Sequence, residues 1–185
     1  MLTTAETRQT LQTTSGSERL AGRHRLEPNA LVTRPTVTGM ETRGVFAPET
    51  AHAAATRYEQ LGPTARVVVR ETAKAMSFDA DEYDERVTGA VVETARDATF
   101  AELLVVHLAD RDAFDAWLAD SDFVDADVVR LGSANVDRVA WHPVPFADTV
   151  MATTYQDRPT AAASTLRRAA FGRVYRDALA EADAN

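Results

Sequence analysis

The chain has 185 residues, with 28 acidic side chains against 20 basic ones, a formal charge of −8, 45% hydrophobic residues and no cysteine. That length fits one globular domain, and the lack of cysteine excludes disulfide frameworks, thiolate nucleophiles and Cys-ligated zinc or iron–sulfur centres. Its longest uncharged stretches, such as residues 139–147, fall far short of the roughly 18 apolar residues needed to span a bilayer.

Residues 1–39 hold five arginines, three glutamates and nine threonines, a balance of +2, with no aromatic residue. Such a segment buries too little apolar area to offset its chain entropy, so it reads as a disordered tail. It has no apolar secretory core, and the cytoplasm is the expected location. The composition changes at Met40, which reads as an alternative start. Residues 40–185 then form a single domain with 15 basic and 25 acidic groups.

Within that domain, residues 49–61 read as a helix that Gly62 and Pro63 close while opening the next. From Pro63 to Met76 the apolar positions Ala65, Val68, Val69, Thr72, Ala73 and Met76 recur at helical spacing. A strand over Ala65–Arg70 competes with that reading, but the pattern runs on through Ala75. Residues 79–87 form a short acidic helix, and residues 88–98 a further helix with Val91, Val92 and Ala95 on one face. Leu103–Leu108 is a strand. Asp110 caps a helix over Arg111–Ala119, with Phe114, Trp117 and Leu118 at spacing three and four. Three strands follow, at residues 126–131, 136–144 and 149–156, with Gly132–Asn135 as a hairpin connection between the first two. A long helix over residues 159–181 ends the chain. This order predicts an α+β fold: N-terminal helices, a mainly antiparallel four-stranded sheet with one intervening helix, helices on one face, and a long C-terminal helix.

No Gly-x-Gly pair, Gly-Lys-Ser/Thr string or Gly-x-Ser-x-Gly turn occurs, which argues against common nucleotide-binding loops and serine hydrolases. Nothing in the sequence implies a cofactor or a resident metal. Three constellations carry the remaining possibilities. His107 and His142 lie on two of the strands and could meet across the sheet as an acid/base or metal pair, although neither spacing matches a ligand motif. The acidic run at residues 120–125 lacks the glycine and the third ligand of a calcium loop, so it reads as a solvated face. Arg66, Arg70 and Lys74 form a like-charge stripe that needs an anionic neighbour: either Glu82, Glu85, Glu93 and Asp97 nearby, or nucleic-acid phosphate in a helix-turn-helix arrangement.

The most concentrated feature is C-terminal: Arg167, Arg168, Arg173 and Arg176 fall within ten residues. There Ala170, Phe171, Val174, Tyr175 and Ala178 make an apolar stripe, and Gly172 interrupts the helix as a place for close backbone approach. Arginine's planar fork suits carboxylate or phosphate, so these four residues are the candidate contact for an anion or a partner.

Nineteen of the 20 basic residues are arginine and only Lys74 is lysine, a composition that resembles salt-adapted archaeal proteins. The strings METRGVFAPET at residues 40–50, Val67–Glu71, Phe78-Asp79 with Tyr83 and Arg86-Val87, and Phe171–Arg176 resemble an uncharacterised family of halophilic archaea, a domain of unknown function. The resemblance implies haloarchaeal origin and a cytoplasmic location, and carries over no catalytic or binding residue. The sequence therefore reads as a small, soluble, non-enzymatic interaction or regulatory module. Its partner is a protein or a second copy rather than nucleic acid or a membrane. A DNA-associated regulator using the N-terminal helices and a His107/His142 enzyme are the alternatives.

Overall fold

A computed structural model describes residues 39–183. The expectation of a tail over residues 1–39, and with it His24, lies outside the described residues but for Gly39.

The N-terminal helices follow their local signals. Thr50 caps α1 (Ala51–Gln60) by accepting from the Ala53 amide, and α2 (Gly62–Ala75) carries Pro63 in its first turn. A reciprocal capping box between Asp79 and Glu82 opens α3 (Ala80–Arg86), and Thr88 caps α4 (Gly89–Leu103). Each cap satisfies helix amides that have no partner inside the first turn. The competing strand at Ala65–Arg70 does not form.

Five strands make one sheet in the order β1-β2-β4-β5-β3: β1 (Glu41–Arg43), β2 (Val106–Asp110), β4 (Arg138–Val144), β5 (Thr149–Tyr155) and β3 (Val128–Leu131). Four strands were expected. The fifth, β1, is a short polar segment that sequence pattern does not mark, and it pairs antiparallel with β2 from Glu41↔Leu108 to Arg43↔Val106. The expected hairpin between β3 and β4 is also corrected. β3 lies parallel to β5, with Val128 opposite Val150 and Leu131 opposite Thr153, while β4 pairs antiparallel with β5 on its other side. Gly132 explains the difference. Its φ is +90°, and a Cβ there would come within 2.4 Å of Thr154 Oγ1, while the next amide, of Ser133, donates to that oxygen at 3.0 Å. The chain leaving β3 is thereby pinned to β5 and crosses to reach β4 instead of turning back.

Helices cover both faces, not one. On the first face α1, α4 and the C-terminal helix enclose an aromatic cluster in which Phe100 meets Tyr175 at 5.3 Å and Phe46, Tyr58 and Phe171 at 5.8 Å. On the other face α5 (Arg111–Ala119), capped by Asp110, packs Phe114 and Trp117 on Trp141.

The C-terminal helix has three parts: α6 (Pro159–Ala170), a π-helical turn at Phe171–Tyr175, and α7 (Arg176–Asp183). A π turn adds one residue to a helix and shifts every later side chain round the axis. Tyr175 and Leu179 are therefore buried, where Val174 and Ala178 are only partly so.

Candidate functional site

The four C-terminal arginines do not form one patch. Arg168, Arg173 and Arg176 are exposed, and Arg176 lies over the Phe171 ring at 5.8 Å. Arg167 turns inward and is 92% buried, since only 8% of its surface is exposed. Its Nε donates to the Leu104 carbonyl at 2.8 Å and its Nη1 to Glu102 Oε2 at 2.9 Å. Leu104 terminates α4, so Arg167 satisfies a carbonyl at a helix C-terminus and places a positive charge at the negative end of the dipole. Gly44 makes room for it: a Cβ there would lie 2.3 Å from Leu104 O and 2.9 Å from the Arg167 guanidinium. Gly172, expected to permit close approach, has nothing within 4 Å of where its Cβ would stand.

The sheet register separates the two histidines. His107 pairs with Trp141, so neighbouring His142 points to the opposite face, because side chains alternate along a strand. His107 sits on the α5 side against Trp141 at 5.4 Å, with Nδ1 3.1 Å from Thr42 Oγ1. His142 is fully buried in the aromatic core. Its Nδ1–H donates to Val105 O at 2.6 Å, which leaves Nε2 to accept from the Tyr175 hydroxyl at 2.8 Å. Burial holds the His142 imidazole neutral, with its pKa lowered to about 4, and pushes the Tyr175 hydroxyl upward. An acid/base or metal pair of His107 and His142 is thus excluded by strand parity. Among the described residues, no three His, Asp or Glu side chains gather as a metal site needs.

Two members of the α2 stripe, Arg70 and Lys74, find their anion on their own helix. Glu71 Oε1 lies 3.3 Å from Arg70 Nε and 2.9 Å from Lys74 Nζ. Two of the expected partners serve elsewhere: Asp97 accepts from the Tyr58 hydroxyl and Glu82 faces Arg86 at 3.8 Å.

What sequence reading missed is the surface between α2 and α4. Only Ala65, Val69 and Ala73 of α2 are buried, and α4 is buried only at Phe100 and Ala101, its C-terminal end. The rest of the facing surfaces remains open as an apolar groove of about 490 Å³. Val68, Thr72 and Met76 line it from α2, and Val91, Thr94 and Ala98 from α4. Phe78 and Arg86 close one end, the Arg86 guanidinium 5.1 Å above the Phe78 ring. Arg86 is the one charged side chain of the lining. The signal was present in the sequence: an apolar run, Val67-Val68-Val69, broader than the stripe a helix presents to one neighbour.

No match was found among curated proteins or among solved structures. A family model described as a family of unknown function (DUF5809) matches residues 45–176, from the chain entering α1 to the start of α7. Most of the described body lies within that match, and the chain belongs to this family.

Proposed function

We propose that the chain is a protein-interaction module that works at high salt in the cytoplasm and docks a partner's helix in the groove between α2 and α4. The observation that carries this reading is the lining itself: Val68, Met76 and Val91 are 46%, 61% and 41% exposed on adjacent helices. Helices ordinarily bury such a stripe against a further layer, and apolar grooves between helices take the apolar face of an amphipathic helix. Charge narrows the occupant. Arg86, at the groove end, is paired only loosely, with Glu82 at 3.8 Å, so the fitting partner is an amphipathic helix with a carboxylate at the end that meets Arg86. The exposed Arg168, Arg173 and Arg176 serve this reading as contacts for an acidic partner surface, with Arg167 internal. Nucleic acid fits less well, because Glu71 already meets Arg70 and Lys74 of the α2 stripe and the following helix, α3, carries Asp81, Glu82, Asp84 and Glu85, which repel phosphate.

A photo-crosslinking residue in place of Met76, in native cells, tests the proposal. The expected product joins the groove to one helical, acidic segment of another protein, and is lost in Val91→Asp and Arg86→Glu variants that still fold. Crosslinks no stronger than those from an exposed position on α7, or crosslinks only to a second copy of this chain, would overturn it.

A further inference from the structure

A second cavity, of about 240 Å³, lies on the opposite side of the fold from the aromatic core, where the first turn of α5 meets the ends of β3 and β5. Its floor is apolar, formed by Phe114, Val139 and Ala152. Its polar lining includes Arg111, Arg130, Ser133 and Thr154, and among the described residues no carboxylate lines it.

Arg111 is the informative residue. Its Nη2 donates to Ala134 O at 3.0 Å and to Val136 O at 2.8 Å, both on the segment crossing from β3 to β4. Among the described residues it has no carboxylate partner, and its Nε and Nη1 donate to nothing. The guanidinium is therefore held in place through Nη2, with Nε and Nη1 left as donors next to a cavity, in a chain of net charge −8. Nε–H and Nη1–H thus remain as single donors toward an anion, on a guanidinium already ordered by its Nη2 bonds. The hydroxyls add to this. Thr154 Oγ1 accepts from the Ser133 amide and Ser133 Oγ from the Asn135 amide, so each retains its O–H as a donor. Arg130 supplies a second positive charge from β3, anchored to Asp125.

We propose that this cavity is a binding site for a small organic carboxylate, its carboxyl group accepting from a free N–H of Arg111 and its apolar body on Phe114 and Val139. The donors select a negative charge, and the floor selects a hydrocarbon part over a bare inorganic anion. This site is separate from the groove between α2 and α4 and does not rest on it.

Calorimetric titration of the full chain with benzoate, butanoate, benzamide and inorganic phosphate tests the assignment. The expected result is saturable binding of at least one of the two carboxylates. Benzamide and phosphate should each bind about tenfold more weakly or less, a margin of one hydrogen-bonded charge. Arg111→Met should weaken carboxylate binding by about tenfold or more. Because Arg111 also holds the crossing segment, Arg130→Gln, which touches only Asp125, is the second variant, and it should weaken binding several-fold with the fold intact. No saturable carboxylate binding, benzamide equal to benzoate, phosphate tighter than either carboxylate, or affinity unchanged in folded Arg130→Gln would each overturn the proposal.

Discussion

His142 is an imidazole that the fold keeps uncharged. Its two nitrogens are used, one donating to Val105 O and one accepting from Tyr175, and protonation would put a second donor against a hydroxyl within the aromatic core. Its pKa in the folded chain is about 4, against about 6.5 for an exposed imidazole. The folded state thus binds fewer protons than the unfolded one between those values, so stability rises with pH there. The contribution is complete above pH 6.5 and is lost as pH falls toward 4, on the order of 3 kcal/mol across that window. Denaturant unfolding between pH 7 and 4.5 should show this loss, and His142→Gln, already destabilised at pH 7, should show a flatter dependence. Equal slopes for both proteins would contradict the assignment. The sequence marked His142 as a strand residue, but which face it occupies depends on the register with β2, and register is a property of two strands, not one.

At the scale of elements, Arg167 shows how one side chain joins three segments. From α6 it holds the end of α4 and packs by Gly44 in the chain that follows β1. Arg167→Ala leaves a terminal carbonyl without its donor and should cost roughly 2 to 3 kcal/mol in chemical denaturation. Arg168→Ala and Arg173→Ala, on exposed turns, should fall within about 0.5 kcal/mol of the parent. A common loss across all three would show that the buried bonds are not what distinguishes Arg167. In sequence these arginines look alike by residue type, although Arg167 precedes the π turn and lies three and four residues before the buried Ala170 and Phe171. Elements fixed by local chemistry were legible: α5 runs from Arg111 to Ala119 with Asp110 as its cap, as its spacing predicts. Elements fixed by distant contacts were not. β1 has three polar residues and exists through β2, and the parallel placement of β3 turns on the meeting of Gly132 and Thr154. The groove was half legible: the apolar faces of α2 and α4 stood out, but their spacing could not say that, among the described residues, no third layer covers Val68 and Met76.

At the scale of the whole molecule, charge is the dominant trait. With 28 acidic and 20 basic groups, self-repulsion opposes the compact state, and concentrated salt screens it, since the Debye length falls from about 10 Å at 0.1 M to about 3 Å at 1 M. The midpoint of thermal unfolding should therefore rise between 0.1 and 1 M potassium chloride, conditions chosen around those screening lengths. A midpoint that is flat or falls would detach the acidic, lysine-poor composition from any adaptation to salt. The apolar groove responds in the same direction, because excluded salts strengthen apolar association.

The two ends of the sheet carry a last consequence. The outermost strands are β1, of three residues, and β3, of four, against seven each in β4 and β5. A long, flat border of unpaired amides and carbonyls invites a foreign strand to add itself, and truncated borders deny it the length to hold on. Copies of this protein can therefore crowd together in a concentrated medium without growing a shared sheet.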